Sequence, residues 1–394
     1  MRSIEEELET LRSASLHRSL RTLAGPQQPH GELDGRNVRI FSSNDYLGFA
    51  SSPPVKEALI RGVERWGAGA GSSRLVCGTQ SPHRDLEEAL AAFKGTAAAL
   101  TFSSGYAAAT GTLTALLCQG DVVILDKLCH ASLIDGARLS GATIRVFPHN
   151  NLERLEHLLK WARGHVSHEG RILVVTESVF SMDGDRAPLG EIVALKERHG
   201  AMLMVDEAHA MGICGSQGRG LADELGVAAN VEIHMGTLSK AAGLHGGYVC
   251  GSAAFVDLLI NRARSFIYST APPPAVAAAA CEVITHLLPG EDGEASRTLL
   301  WRHLSRFAER MGERIKTPQS AIIPVIVGGE AEAMQLSARL LEEDFLIPAI
   351  RYPTVPRGSA RLRVTLTAAH DDEDVEALAA TLTNLTPSRP RPTA

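Results

Sequence analysis

The residues with the most chemistry in them are Gly236-Thr237-Leu238-Ser239-Lys240, which close a β-like run at 231–235 and lead into Ala241-Ala242-Gly243. An amine on a turn after a buried strand is a candidate nucleophile toward a carbonyl, provided it is held still and can shed its proton. The hydroxyls of Thr237 and Ser239 beside it suit a phosphate. Upstream, the apolar run 201–205 stops at Asp206-Glu207-Ala208-His209, an acid and a histidine three apart that can face one cavity. Taken alone, the lysine reads as a solvated surface residue and the Asp-x-x-His as a cap or ion pair. In this order and together they point to a pyridoxal phosphate site. The lysine would bond covalently to the cofactor, and Asp206 would pair with its pyridinium nitrogen.

Other stretches have the same placement. Ser103-Ser104-Gly105-Tyr106 follows an apolar run and opens a helical pattern, so it is either a serine-capped turn or a helix N-terminus offered to a phosphate. His130, after the run 122–125, is a cap, a core histidine, or a ring laid flat on an aromatic cofactor. Residues 177–185, Glu-Ser-Val-Phe-Ser-Met-Asp-Gly-Asp, put an acid and two serines after the run 172–176. Ser104, His130, Ser181, Asp206 and Lys240 all follow strand-like runs, and in open parallel sheets ligands bind beyond the carboxyl ends of the strands. The glycine-rich loop 67–71 lacks the preceding strand that a dinucleotide-binding motif needs, which argues against a nicotinamide enzyme. Its glycines instead permit close approach of a ligand or a partner chain. Arg361 and Arg363 share one face of a strand-like run, where one could clamp a carboxylate or both could face solvent.

The elements that must position these residues alternate along the chain. Helical patterns at 55–66, 83–93, 106–117, 130–139, 152–163 and 189–199 are interleaved with β-like runs at 97–102, 122–125, 144–147, 172–176, 202–205, 231–235 and 248–250. Such alternation predicts an α/β fold with a mostly parallel sheet covered on both faces. An amphipathic helix is expected over 1–23, a strand over 38–41 and an alanine-rich helix from about 275. Beyond the Leu-Pro-Gly-Glu-Asp-Gly stretch at 288–293, helices at 296–311, 331–341 and 372–385 and strands at 321–327, 347–350 and 361–366 predict a small α+β domain. The expected division is therefore an amino-terminal segment (1–50), a large cofactor-binding domain (51–288), a small carboxyl-terminal domain (289–386) and a disordered Pro/Arg-rich tail (387–394).

Composition excludes several classes. A net charge of −6 and a pI near 6.2 argue against nucleic acid as a partner. No apolar run approaches the roughly 18 residues of a membrane span. The acidic amino terminus, with Glu5, Glu6, Glu7 and Glu9, fits neither a secretory signal nor a transit peptide. Six cysteines without a Cys-x-x-Cys pair read as reduced residues of a cytoplasmic protein. Fifteen histidines are scattered without metal-ligand spacing, so no metal is expected.

These motifs resemble the α-oxoamine synthases, fold-type I pyridoxal phosphate enzymes that join an amino acid to an acyl thioester with loss of CO2. The likeness runs from Phe41-Ser42-Ser43-Asn44-Asp45-Tyr46-Leu47-Gly48 to Ala368-Ala369-His370. It rests on T-E-S-V-F-S-M-D-G-D at 176–185, V-D-E-A-H at 205–209, G-T-L-S-K at 236–240 and I-Y-S-T at 267–270. Segments 130–142 and 353–370 bring it nearest to the member that condenses L-alanine with a pimeloyl thioester, on CoA or acyl carrier protein, in biotin synthesis. A member joining glycine to acetyl-CoA is the alternative. A catalytically inactive partner subunit is disfavoured because Lys240 is present.

The resemblance implies a role for each matching residue. Lys240 would hold the cofactor and move the α-proton, Asp206 would bind the ring nitrogen, His209 and Ser181 the ring hydroxyl, and His130 would stack on the ring. Gly105, Tyr106 and Thr237 would surround the phosphate, joined by Ser269 or Thr270 of a second subunit in a homodimer. Arg361 would take the amino-acid carboxylate. Arg18, with Arg21 as its rival, Asn44 and Thr354 would line the acyl path.

Overall fold

The computed structural model describes residues 3–14 and 16–386, so the tail at 387–394 lies outside the described residues. The amino-terminal helix covers only Ile4–Ser13, started by a capping box between Ser3 and Glu6. None of its residues is buried, so no packing carries it on to residue 23 as expected. Three strands follow, β1 (Leu23–Ala24), β2 (His30–Leu33) and β3 (Arg36–Ile40). β2 and β3 form an antiparallel hairpin with Leu33 opposite Arg36. Asp34 and Gly35 make its turn, both with positive φ. Asp-Gly is the favoured pair for such a two-residue turn.

The central sheet contains β4 (Ala98–Phe102), β5 (Val122–Asp126), β6 (Thr143–Phe147), β7 (Ile172–Glu177), β8 (Met202–Asp206), β9 (Ile233–Thr237) and β10 (Gly247–Gly251). Their order is β4-β10-β9-β8-β7-β5-β6. β6, β5, β7, β8 and β9 pair in parallel, and β10 runs against both of its neighbours. Val122 and Ile124 of β5 pack into one apolar cluster, and Val123 and Leu125 into another on the opposite face. A sheet covered on both sides needs strands that are apolar throughout, which is why these runs lack the polar alternation of a half-exposed strand. The chain moves from β5 out to β6 and returns to the other side of β5 at β7, so a crevice opens where the strand order reverses.

The carboxyl-terminal part supplies β11 (Ile322–Gly328), β12 (Phe345–Leu346), β13 (Ala349–Ile350) and β14 (Ala360–Thr365). β11, β14 and β13 form a small antiparallel sheet, while β12 pairs in parallel with β3 and completes the amino-terminal sheet. The long helix starts at Glu291, five residues before the expected 296, and ends at Met311. The helices Leu152–Arg163 and Asp372–Leu385 keep their expected bounds. One buried apolar cluster runs from Phe41 through the central sheet to Leu382, so the small sheet packs onto the same core as the large one. A tight contact fixes that junction. Gly184, at φ +67°, lies so close to β11 that a Cβ there would sit 2.1 Å from the Ile322 carbonyl oxygen. Among the described residues no helix is long and apolar enough to cross a membrane.

Candidate active site

The carboxyl ends of β4, β5, β7, β8 and β9 converge as the shared placement of their polar residues predicts. Ser104 ends β4's loop and caps the helix Gly105–Leu116, its Oγ accepting from Ala107 N–H at 3.1 Å. Gly105 lies against Thr237, where a Cβ would stand 3.5 Å from the threonine Cβ. Thr237 Oγ1 donates to Gly246 O at 2.7 Å and accepts from Ser239 N–H at 3.1 Å. The N-terminus of the helix Gly105–Leu116 thus lies beside Thr237, whose hydroxyl also bonds Ser239, so free N–H groups and the positive end of the helix dipole stand next to hydroxyls. Tyr106 contributes its backbone only, because its hydroxyl points outward to Asp135 at 2.9 Å.

At the neighbouring strand ends sit the ionisable groups. Asp206 ends β8, buried, with Oδ1 accepting from Ala208 N–H at 2.9 Å. Glu177 is its register partner at the end of β7, so both carboxyls leave the same face of the sheet. Burial raises both acids, Glu177 well above the ordinary range; the charge of Asp206 raises Glu177 further, and that of Glu207 raises Asp206, while Lys240 lowers both. Glu177 Oε1 is buried and meets no hydrogen-bond partner among the described residues. His130 caps the helix Ala131–Ser140 with Nδ1 2.8 Å from Ser132 Oγ; burial lowers its pKa, and the charges of Asp206 and Lys240 both reach it.

Lys240 is half-buried, its Nζ 3.0 Å from His209 Nε2. Burial pulls its ammonium down to about 8 against the attraction of Asp206 and Glu177, and the Arg363 guanidinium pulls the same way as burial. At pH 7 about a tenth of this amine is neutral, against roughly one part in three thousand at its ordinary pKa of 10.5. Only the neutral amine attacks a carbonyl. The rate at which the cofactor-free protein captures pyridoxal phosphate should therefore rise with pH through about 8 and then level. Stopped-flow absorbance across pH 6–10 measures this, and a rise continuing to pH 10 would remove the pKa shift. His209 is fully buried and held well below its ordinary value by burial and by the charges of Lys240 and Arg363, so its ring is neutral.

The two arginines of β14 share a face, and both are buried, which removes the solvent-facing alternative. They do different things. Arg361 is committed to Asp183, with Nη1 2.5 Å from Oδ1, and to the Ser359 carbonyl. Arg363 donates to Ser181 O at 2.7 Å and to Asn44 Oδ1 at 3.1 Å, and its charge is felt at Lys240, His209 and Tyr46. The arginine facing the cluster is thus Arg363, a correction to the expectation for Arg361. Asn44 joins this group rather than a separate path. Arg18 and Thr354 do come together, Nη2 to Oγ1 at 3.5 Å, on the exposed surface. Thr270 pairs with Ser73 of the glycine-rich loop in its own chain, and Ala271 N–H donates to Ser72 O. Tyr46 was missed as a site residue, although it lies two positions from Asn44. Its hydroxyl is 2.5 Å from His209 Nδ1.

Comparison with known proteins agrees with this arrangement. The aminotransferase class I and II profile matches residues 36–382. The chain belongs to that family. It is 49% identical over 387 residues to the 8-amino-7-oxononanoate synthase of Geobacter sulfurreducens, covering 98% of each chain. Among solved structures it matches a serine palmitoyltransferase from S. paucimobilis with bound PLP and myriocin, at TM-score 0.89 and 31% identity, over 97% of this chain and 96% of that one. It also matches the 8-amino-7-oxononanoate synthase of Francisella tularensis at TM-score 0.74 and 28% identity, over 88% and 98%. Within the family the chain is an α-oxoamine synthase of fold type I, and its cofactor is pyridoxal phosphate. The residues present fit that cofactor: an amine of lowered pKa, a buried carboxylate, a neutral histidine and a helix N-terminus beside a threonine hydroxyl lie at one sheet edge.

Proposed function

We propose that this protein condenses L-alanine with a pimeloyl thioester, forming 8-amino-7-oxononanoate, CO2 and the free thiol. The observation that carries the reading is the near full-length 49% identity to an 8-amino-7-oxononanoate synthase, joined to a lysine poised as base beside a buried arginine. Asp206 would pair with the cofactor's ring nitrogen, His209 and Ser181 with its ring hydroxyl, and His130 would lie on its face. Gly105, the Tyr106 backbone and Thr237 would hold its phosphate. Bound there, the cofactor supplies an electron sink for the bonds at the amino-acid Cα.

The protein's own groups do the rest. Arg363, backed by Asn44, receives the alanine carboxylate and fixes which Cα bond points at Lys240. Lys240, neutral in part at pH 7, takes the Cα proton and later returns one. A C–C bond forms to the thioester carbonyl, the C–S bond breaks, and the carboxylate leaves as CO2. Arg18 and Thr354, on the exposed surface, would meet the distal carboxylate of the acyl chain.

Exposed Leu75, Val76 and Tyr268 surround the tie between the glycine loop and residues 270–271, an apolar surface suited to a second copy. We place Ser269 and Thr270 there, reaching a partner's phosphate site in a cytoplasmic homodimer. Sedimentation of the holoenzyme as a monomer would remove that assembly. Residues 51–288 would form the cofactor-binding unit and 289–386 the smaller one.

Mass-spectrometric screening of L-alanine, glycine and L-serine against pimeloyl, acetyl and palmitoyl thioesters tests the reaction, with CoA and acyl carrier protein compared as carriers. Alanine with the pimeloyl thioester should be the efficient pair, and glycine with acetyl-CoA as the better pair would overturn the assignment. Arg363→Ala should raise the alanine KM about ten- to a hundred-fold, the worth of one charge-assisted bond. Arg361→Ala should leave that KM within about threefold, since it loses an internal ion pair rather than a substrate contact. Steady-state kinetics of the pair decides between the arginines.

A further inference from the structure

The cluster contains a hydrogen-bond chain that the roles above leave unused. It runs from Lys240 Nζ to His209 Nε2 at 3.0 Å, then from His209 Nδ1 to the Tyr46 hydroxyl at 2.5 Å. From there it passes to Asn44 Oδ1 at 3.2 Å and ends on Arg363 Nη2 at 3.1 Å. Tyr46 is 0% exposed and His209 6%, so neither exchanges its partner for bulk water. The backbone around Tyr46 is tied down, with its carbonyl accepting from Ala368 N–H at 2.8 Å.

The donors can be counted. Arg363 only donates, so Asn44 Oδ1 is an acceptor. Burial raises the Tyr46 phenol to about 12, which keeps its single proton in place. That proton has two acceptors in reach, Asn44 Oδ1 and His209 Nδ1. Neutral His209 has one N–H and one bare nitrogen. Two arrangements satisfy every member. In the first, a protonated Lys240 donates to Nε2, Nδ1–H donates to Tyr46, and Tyr46 donates to Asn44. In the second, Tyr46 donates to Nδ1, and Nε2–H points toward Lys240. The second is the one required when the group beside Nε2 has only a lone pair to offer, whether a deprotonated amine or a ring oxygen.

We propose that Tyr46 is a positioning residue for the reaction. By turning its hydroxyl between Asn44 and His209, it selects which nitrogen of His209 carries the proton, and so lets His209 answer each change at Lys240. This rests on reading Lys240 and His209 as cofactor-facing. A phenylalanine ring would pack in the same place and lack only the hydroxyl. The charged groups facing His209 are Lys240, Arg363 and His130, and those facing Tyr46 are Arg363 and Glu177.

The test uses the full chain with 15N-labelled histidine, His209 being assigned by its loss in His209→Asn. In the cofactor-free wild type the proton should sit on Nδ1 at pH 7, where Lys240 is mostly protonated, and move to Nε2 by pH 10, where Lys240 is neutral. Tyr46→Phe, which cannot donate to a bare Nδ1, should lose that move. Asn44→Ala, which leaves the hydroxyl only His209 to donate to, should bring the move to lower pH. In the holoenzyme, Tyr46→Phe should shift the pH midpoint of the visible band by about one unit or more. It should also lower kcat about ten- to a hundred-fold, the usual cost of losing the group that orients a working histidine, with the alanine KM little changed. A tautomer that follows pH in Tyr46→Phe as it does in the wild type overturns the proposal, and so does a wild-type midpoint in Asn44→Ala if the phenylalanine variant does not fold. A changed tautomer with an unmoved band leaves the hydrogen-bond chain standing and overturns the cofactor-facing reading of His209.

Discussion

Lys240→Ala should abolish both turnover and the visible absorption of the bound cofactor. In the proposed function the residue combines two tasks, a covalent tether and a base, and a positioned base alone is worth about 10²- to 10⁴-fold. No neighbour takes over. Lys94 is buried and locked to the Glu207 carboxylate and the Arg219 carbonyl, and Lys196 is held by Glu232 at 2.6 Å. His209, 3.0 Å from Nζ, is neutral but has no amine with which to form the tether. Turnover should therefore fall by at least about 10⁴-fold. Absorbance of the purified variant after reconstitution reads the first effect, and a band like the wild type's would refute the lysine's role.

Asp206→Asn should keep the cofactor and lose the chemistry. The amide oxygen of Asn can still accept from Ala208 N–H, so the local backbone stays as it is. What disappears is the negative charge under the ring nitrogen. A neutral ring withdraws electrons poorly, and the interaction is strongest when the Cα bond breaks, so the loss falls on kcat. Removing one preorganised electrostatic partner typically costs on the order of 10²- to 10³-fold. Deuterium exchange at the alanine Cα, followed by NMR without acyl substrate, isolates this step. Exchange at the wild-type rate would show that another group carries the charge, and Glu177, paired in register with Asp206, would be the one to examine.

The sequence carried the large sheet well because its strands are covered on both faces and so appear as short uninterrupted apolar runs between helical periods. The same logic located the site, since polar residues that stop such runs gather at one sheet edge. Local patterns failed where tertiary packing decided. The run past Ser13 has leucines at helical spacing but no core to bury them in, and the helix ends there. The Asp34-Gly35 turn was a readable hairpin signal that was passed over. The two arginines of β14 obey the two-residue period, yet that period says only that they share a face. Two residues along a strand are about 6.6 Å, enough to move a guanidinium from the Asp183 loop to the Asn44 side chain. Tyr46 carries no local mark at all. Its partner His209 is brought to it by the fold, from 163 positions away.

The pairing of β3 with β12 sets an order of events in the making of the protein. Arg39 lies opposite Phe345, so the first sheet cannot be completed until the ribosome has added about 300 further residues, roughly a quarter of a minute to a minute of synthesis. Asp206, at the end of β8, and His209 and Lys240, just after β8 and β9, are all translated earlier, with strands that can already associate. Arg363, the anchor of Asn44, follows Lys240 by about 120 residues. On the proposed roles, the half of the pocket with Lys240 is thus available to a nascent chain well before the half with Arg363, and a chain interrupted in between would hold a lysine with nothing to aim its substrate.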